Sequence, residues 1–569
     1  MWKTSAALAR DVYRRQRTGA SPSAGSSSRL RSSLTATRLC QVRSEGNYSY
    51  RLYCMKSEPE DTAAELHRPI PARQSVASLQ DGFLSGQTPQ ANELSTGTQA
   101  EVEVVIAIGG NVGDRVGNIN KALEILRTSA IRVTGHASLY ESAPAYVTDQ
   151  PPFLNSAVKA STRLDPQTLL KQLKTIEFQL GRTQGGVRYG PRPIDLDILY
   201  YGSLTLETDA LQIPHPRIAE RPFVLAPLVD LLSPQALEVN PGDWTKHPSI
   251  ESGEVQSAWN DRFGGETCVG KEGLKRVLPL GKSLWDWSGR TYVMGVLNLT
   301  PDSFSDGGSY LRTESALEQV RKMVSEGADF IDLGAQSTRP GAKRLTTEEE
   351  LDRLLPVLDA IAEAPGLEGV CLSVDTFDAR VAEEAVSRGV HVVNDVSGGT
   401  LDSNMLSTVA KLGVPYIIMH MRGEPQTMQN KLNTQYSNVC SEVADELAAR
   451  FRSAELAGIP SWRMITDPGI GFAKTLRHNV ELLRHLPTFR EELSWRNKAA
   501  SNGPMLLGPS RKGFLGKLCG LAEGKDRDFA SAAAFTIGVA GGANIIRAHN
   551  VRAAYDAVKV ADAVYKTRK

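Results

Sequence analysis

The chain is poor in cysteine, and none of it is paired by spacing. Six cysteines (Cys40, Cys54, Cys268, Cys371, Cys440, Cys519) are scattered over 569 residues, with no Cys-x-x-Cys. Neither a disulfide framework nor a zinc site follows, and a reducing compartment fits. No apolar run approaches the ~18 residues of a membrane span, so no membrane partner is expected. The formal net charge is only +1, which argues against general nucleic-acid binding. There is no His-Glu-x-x-His. Gly281-Lys282-Ser283 resembles the end of a P-loop, but Arg276 stands where the upstream glycine is required.

What is present is globular: 41% apolar and 23% charged residues, in a length that suits about two to four domains. The N-terminus stands apart. Through Arg43 it carries nine Lys/Arg, several serines and one acid, Asp11. Residues 1–54 therefore read as a transit peptide with a mitochondrial matrix address; plastid, cytosol or a plain basic tail are the alternatives. Residues 55–101 are polar, broken by Pro and Gly, and read as a disordered linker.

The first folded unit is expected over 102–232. Val102–Ile108 reads as a strand and Gly109-Gly110-Asn111-Val112-Gly113-Asp114 as a turn. Asn118 is a candidate cap for a helix carrying Ile119, Leu123, Ile125 and Leu126. Strands near 132–140 and 154–161 and a helix over 166–180 complete a β-α-β-β-α-β order, an α+β ferredoxin-like signature. Residues 233–287 are broken by Pro and Gly and read as a second linker. From 288 to 569, short apolar strands alternate with helices, one of them opened by Thr347-Glu348-Glu349-Glu350. Eight such alternations point to an α/β (β/α)8 TIM barrel with its site at the C-terminal strand ends.

Within the first unit, Asp195 and Asp197 lie one residue apart in Ile194-Asp195-Leu196-Asp197-Ile198. Strand alternation sends Leu196 and Ile198 to one side and both acids to the other, with Cα atoms roughly 6.6 Å apart. That spacing suits one or two hard cations, and Arg192 is a natural phosphate partner. The pair suggests Mg²⁺-nucleotide chemistry; a solvated edge strand is the alternative. Upstream, the Gly/Arg-rich stretch 181–192 can close arginines over a polyphosphate. His215, Arg217 and Arg221 follow downstream. Any lone basic residue is more often surface solvation, but so many around one acid pair changes the odds.

The motifs Gly-Gly-Asn-Val-Gly-Asp (109–114), Phe153-Leu154-Asn155, Gly181-Arg182, Tyr189-Gly190-Pro191-Arg192, Asp195-Leu196-Asp197, Pro214-His215-Pro216 and Arg221-Pro222-Phe223 together resemble 6-hydroxymethyl-7,8-dihydropterin pyrophosphokinase over 102–232. The resemblance implies transfer of pyrophosphate from ATP to the pterin hydroxymethyl group, with AMP released. It implies that Asp195 and Asp197 hold Mg²⁺, and that Arg182 and Arg192 stabilise the transferring group. His215 would meet the nucleotide phosphates, with Arg188 and Arg221 beside them. Asn155 would read the pterin edge while Phe223 stacks on its ring. Gln184 stands where the family often has a second arginine, and Arg188 is the candidate substitute.

In the second unit, side chains with chemistry recur where strands end: Asn298, Ser337-Thr338-Arg339-Pro340, Asp375, Asn394, Asp467, Ser510-Arg511-Lys512 and Arg547-Ala548-His549. One alone is more often a cap or core hydrogen bond; a series in register with the barrel period is not. Carboxylates and amides suit a flat heterocycle with amino and oxo edges. These motifs resemble dihydropteroate synthase over 288–565. The resemblance implies condensation of dihydropterin pyrophosphate with p-aminobenzoate. Asp375, Asn394, Asp467 and Lys512 would bind pterin. Asn298 would help hold Mg²⁺ on the diphosphate, with Arg339, Arg547 and His549 as anion contacts. Thr338, Pro340 and Ser510 would shape the p-aminobenzoate site, and the loops 299–310 and 336–344 would be lids. A homo-oligomer through the barrel is expected. Ala335-Gln336 and Asn550 depart from the bacterial Gly-Glu and Asp, and look similar to plant members. A pterin-binding methyltransferase barrel is opposed by the Ser-Thr-Arg-Pro loop and the fused kinase-like unit. A binding protein with a dead kinase half is opposed by the intact aspartates and His215.

Overall fold

The computed structural model describes residues 100–183, 189–239, 241–270, 273–299 and 309–566. The expected transit peptide 1–54, nearly all of the expected linker 55–101, Gln184, Arg188 and most of the first barrel loop lie outside the described residues.

One antiparallel sheet is built from β1 (Val102–Gly110), β2 (Ile131–His136), β3 (Leu139–Ser142), β4 (Phe153–Thr162) and β5 (Asp195–Tyr201). β6 (Leu206–Glu207) and β7 (Gln212–Ile213) form a separate hairpin. β1 pairs antiparallel with β4 and β5, and β2 pairs with β4, which is the ferredoxin-like arrangement. Alternation along β1 sends Val104, Ile106 and Ile108 to one face, against Leu123, Leu126, Leu169, Leu173 and Ile176 of the helices Arg115–Thr128 and Pro166–Gln179. Asp114, rather than Asn118, caps the first helix, its Oδ1 accepting from Gly117 N at 2.8 Å. The Asn118 amide donates to the Val112 and Pro193 carbonyls instead, tying the first turn to the chain just before β5.

Residues 233–287 are not a linker. They carry short helices and then β8 (Leu274–Leu280) and β9 (Ser283–Trp285), and they cover the second face of the sheet. Trp244 and Trp259 are fully buried against Tyr200, Leu225 and Leu228. The Pro/Gly spacing of this stretch masked its core because its helices are too short to show a period. β8 joins the sheet beside β3, so the hairpin β8–β9 extends it.

The second unit is a parallel eight-stranded sheet. Its strands are β10 (Tyr292–Asn298), β11 (Phe330–Gly334), β12 (Cys371–Asp375), β13 (Val392–Asp395), β14 (Tyr416–Met419), β15 (Met464–Asp467), β16 (Leu506–Leu507) and β17 (Ile545–Ala548). β10 to β15 pair in chain order and β17 pairs with both β10 and β16. The ring closes where Thr466 bridges Met505, with Thr466 N donating to Pro504 O at 3.0 Å. The helix Thr347–Glu363 is capped one residue earlier than the sequence pattern suggests: Thr346 and Glu349 form the reciprocal capping box. Met294, Phe330, Val392, Ile417, Ile465, Leu506 and Ile545 form an apolar layer inside the barrel, closed by Leu278, Trp285 and Trp287 from the hairpin and its exit.

Candidate functional site

In the first unit the register lines up Asn155 of β4, Gly109 of β1 and Asp195 of β5 across one face of the sheet. Asp197 pairs with Ala107 one step further along. Glycine at 109 keeps this floor clear, since a Cβ there would lie 3.1 Å from Asn155 Oδ1. Leu196 and Ile198 point the other way into the core. The acid pair therefore faces a cavity of about 380 Å³. That cavity is lined by every first-unit candidate among the described residues: Asn155, Arg182, Arg192, Asp195, Asp197, His215, Arg221 and Phe223.

The charges are tightly interlocked. Asp195 Oδ1 accepts from Arg182, and its Oδ2 from Arg192 Nη1 at 2.7 Å. Arg182 also pairs with Glu177 Oε2 at 2.6 Å. Against the pull of burial, Asp195 and Glu177 hold its guanidinium above its usual pKa. Glu177 itself is buried on the helix Pro166–Gln179, and burial raises its carboxyl. It accepts from Lys174 Nζ and Leu196 N, both at 2.7 Å, and Lys174 reaches Asp197 at 3.5 Å. Glu177 and Lys174 were missed from sequence, because a charged residue on an amphipathic helix gives no signal of which face it crosses.

Arg192 owes its place to the first turn. Asn111, 2% exposed, accepts from Arg192 N with its Oδ1 and donates its own N–H to Arg192 O, both at 2.9 Å. His215 lines the same cavity, its Nδ1 accepting from Arg217 N at 3.2 Å, and burial lowers this imidazole. Tyr146 and Tyr189 stack at 4.3 Å, with Arg217 and Arg221 laid over both rings. Asn155 Nδ2 donates to Ser142 Oγ at 2.9 Å, which fixes the amide beside Phe153 and Phe223.

Two carboxylates, with no third protein ligand among the described residues, suit Mg²⁺, which keeps waters and phosphate oxygens and needs only one or two carboxylates. Among the described residues no group of three or more His, Cys, Asp or Glu could hold a metal alone. The donor set therefore fits a cation that arrives with a polyphosphate. In the barrel, Asn298 ends β10 half-exposed and offers a single neutral oxygen.

At the barrel mouth, strand period two lifts polar residues directly above the apolar layer. Asp332 follows Phe330, Asn394 follows Val392, Asp467 follows Ile465 and Arg547 follows Ile545. Arg547 donates to Asp332 Oδ2 and Asp375 Oδ2, both at 2.6 Å, and Asn394 Nδ2 donates to the same Asp332 oxygen at 3.0 Å. Arg547, expected as an anion contact, is thus already held between two carboxylates. Asp332, fully buried, was missed because it reads as one acid in an apolar strand. Burial pushes Asp375 up to about 7 and Asp467 up to about 6, and pulls Lys512 down to about 8. Asp375 Oδ1 is buried with no partner.

Lys512 Nζ sits 3.9 Å from the centre of the Phe472 ring. Glycine at 471, at φ +86°, leaves room for its stem: a Cβ there would lie 2.8 Å from Lys512 Cδ. The 469–474 turn is itself clasped by buried Lys474, whose Nζ bonds Gly469 O at 3.0 Å, Phe472 O at 3.1 Å and His420 Nδ1 at 2.9 Å. His549 Nδ1 meets Ser510 Oγ at 3.0 Å. Burial, then Arg547, Arg511, Lys512 and Arg339, take the imidazole down to about 3. Thr338, Arg339 and Pro340 ride a partly exposed loop. Its ends are joined by Gln336, which donates to Ser337 O at 2.8 Å and accepts from Leu345 N at 2.7 Å. An acid at 336 could make only the second of these bonds.

The profile of the 7,8-dihydro-6-hydroxymethylpterin-pyrophosphokinase family matches residues 105–233, and that of the pterin binding enzymes matches 294–549. A mitochondrial folate synthesis bifunctional protein of Arabidopsis thaliana is 53% identical over 87% of this chain and 88% of its own length. Its counterpart in Pisum sativum is 54% identical over 86% and 94%. A second Arabidopsis thaliana folate synthesis bifunctional protein, whose name carries no compartment, is 52% identical over 82% and 96%.

Asp467 generates a pH prediction. Its carboxyl titrates near 6 when folded, against 3.8 as the reference value. Between those values the native state keeps a proton that the unfolded chain has lost, so this group's contribution to stability falls as pH rises through that window and stays lost above it. Asp467→Asn removes the titration. The ligand-free variant should therefore be more stable than wild type at about pH 8, by on the order of 1–3 kcal/mol, with the gain vanishing near pH 4. Urea denaturation at both pH values reads this, and a variant no more stable at the higher pH contradicts it.

Proposed function

The chain belongs to the family of bifunctional folate synthesis proteins, and from that premise we propose how its residues divide two consecutive reactions. The first unit moves the pyrophosphoryl group of ATP onto 6-hydroxymethyl-7,8-dihydropterin and releases AMP. The second condenses the product with p-aminobenzoate, giving 7,8-dihydropteroate and diphosphate.

In the first reaction the pterin hydroxyl oxygen attacks the β-phosphorus, the bond to the α-phosphate oxygen breaks, and the hydroxyl proton leaves. Asp195 and Asp197 would hold Mg²⁺, which supplies charge neutralisation on the phosphates when bound. Arg182 and Arg192, paired to Asp195 without ligand, are the cations nearest to accept a polyphosphate in exchange. Glu177 restrains Arg182 through the same Nη1 that meets Asp195. His215, Arg217 and Arg221 line the same cavity and supply further anion contacts, and Asn155 with Phe223 takes the pterin. The observation that carries this reading is the line Asn155–Gly109–Asp195, which brings an amide and a carboxylate together on one floor.

In the second reaction the p-aminobenzoate nitrogen attacks the pterin methylene carbon, the carbon–oxygen bond to diphosphate breaks, and the amine loses a proton. The unpartnered Asp375 Oδ1 and the Asp467 carboxylate are acceptors for amino and ring N–H donors. Asn394 and Lys512 complete the pterin wall. His549, Arg339 and Asn298 stand towards the diphosphate, and Thr338, Pro340 and Ser510 towards p-aminobenzoate. Arg547 acts by balancing Asp332 and Asp375, which keeps two buried carboxylates together.

Asp195→Ala or Asp197→Ala should lower AMP release by about a thousandfold or more, as removal of a metal ligand in phosphoryl transfer does. Synthase turnover on supplied pterin pyrophosphate should persist. Loss of both activities in a folded variant would mean that the acids serve something other than the kinase site.

The matrix address rests on the basic, acid-poor N-terminus and on the two relatives named mitochondrial. Residues 1–60 fused to a fluorescent protein should deliver it to mitochondria, and a cytosolic or plastid signal would sink the assignment.

Self-association through the barrel is supported by Phe529, 92% exposed, together with the exposed Ile537, Val560, Val564 and Tyr565 on the last two helices. Sedimentation should give a dimer or larger species that Phe529→Lys shifts towards monomer; a wild-type monomer at micromolar concentration would remove the idea.

A further inference from the structure

Two loops from neighbouring strands carry the residues assigned above to the far side of the barrel mouth. Ser510-Arg511-Lys512 follows β16, and His549-Asn550 follows β17. Both are tied to one carboxylate outside the site, Asp528, at the start of the helix Asp528–Ala540. Asp528 Oδ1 accepts from Arg511 Nε at 2.7 Å, and Oδ2 accepts from Arg511 Nη2 at 2.9 Å. Oδ2 also accepts from Asn550 Nδ2 at 2.8 Å.

The fastening has a physical purpose. Arg511 sits at φ +56°, in the left-handed region where a non-glycine residue costs about 1–3 kcal/mol. Such a conformation persists only if its surroundings impose it. Here they do so from every side. Arg511 N donates to Ser531 Oγ at 2.9 Å, Arg527 Nη1 donates to Arg511 O at 3.0 Å, and the guanidinium forks onto Asp528. The reversal at Arg511 is what turns Ser510 Oγ towards His549 and Lys512 back towards Phe472.

Asn550 explains itself in the same frame. Its Oδ1 caps the last helix by accepting from Ala553 N at 3.0 Å, which an acid could also do. Its amide donor faces Asp528, which an acid could not supply. Asparagine at 550 and aspartate at 528 are therefore a matched donor and acceptor.

We propose that Asp528 is a positioning residue for the synthase reaction, holding the Lys512 and His549 loops in register through Arg511 and Asn550. The proposal rests on the reading that Lys512 and His549 serve the condensation.

The test uses the full chain, with supplied pterin pyrophosphate and p-aminobenzoate, and with AMP release by the first unit as internal control. Asp528→Asn and Asn550→Asp should each lower synthase kcat/KM by roughly tenfold to a hundredfold, since a misplacement of an ångström is enough for that. AMP release should stay at wild-type rate. The double variant D528N/N550D restores a donor–acceptor pair between 528 and 550, although its new amide takes the place of the oxygen that also accepts from Arg511 Nη2. It should raise synthase kcat/KM at least about threefold above the worse single variant, a partial rescue that simple loss of stability does not produce. Synthase within about twofold of wild type in Asp528→Asn overturns the proposal, and so does a double variant no better than the worse single one. If Asp528→Asn does not fold, Asn550→Asp decides: its two facing carboxylates must lower synthase activity, and full activity overturns the proposal. Lys512→Ala separates the layers. Loss there with Asp528→Asn unaffected sinks the positioning role alone, whereas an unaffected Lys512→Ala protein overturns the role together with the reading beneath it.

Discussion

The hairpin β8–β9 is the constraint on which the rest of the molecule depends, because it belongs to three hydrophobic cores at once. Leu274 packs beneath the second face of the kinase sheet, Val277 joins the core under its helices, and Leu278 with Trp285 fills the floor of the barrel. A strand that completes one sheet and plugs another ring cannot be shifted by a residue, since every side chain would change face. The two units are thereby fixed to each other at the floor of the barrel, away from its catalytic end. Trp462, just before β15, lies in the kinase core, and His136 of β2 donates its backbone N–H to Glu455 of the barrel helix Val439–Ala457 at 2.9 Å. Asp230 closes the other flank, accepting from Ser138 N, Tyr140 Oη and Asn502 Nδ2.

With the floors fixed, alternation does the rest. In the sheet it puts Asp195 and Asp197 on the face opposite their apolar neighbours. In the barrel it turns an apolar layer into a polar one two residues later, so that Asp332, Asn394, Asp467 and Arg547 rise from Phe330, Val392, Ile465 and Ile545. Both sites use the same electrostatic device. Cations rest on carboxylates in the ligand-free protein, Arg182 and Arg192 on Asp195, and Arg547 on Asp332 and Asp375. Such pairing prevents the cost of an isolated buried charge, which is several kcal/mol per ion.

Much of this was legible in the chain. The acid pair, the arginines beside it and the strand-end residues of the barrel are local patterns, and local patterns survive in a string of letters. The residues that escaped are those whose meaning lies in a partner far along the chain. Glu177 matters because β5 passes beneath its helix, Asp332 because Arg547 comes from β17, and Asp528 because two later-closing loops converge on it. Residues 233–287 escaped for another reason. Their apolar residues are spaced by short helices and turns rather than by one period, although Trp244 and Trp259 are large enough to have hinted at a core.

The barrel mouth carries the cost of this design. Asp375 Oδ1, Asp332 Oδ1 and Ser373 Oγ are buried without partners, and each unsatisfied group costs about 1–3 kcal/mol in the ligand-free protein. Burial keeps Asp375 and Asp467 partly protonated near neutrality, at about 7 and about 6. A heterocycle whose amino and ring N–H donors met these acceptors would favour the ionised carboxylates, and part of its binding energy would be relief of an existing penalty. The floor of Leu278, Trp285 and Trp287 is what makes the penalty tolerable, since it holds the strands below the site with no polar group of the reaction involved. Stability is concentrated in one layer and poise in the next, two residues apart on the same strands.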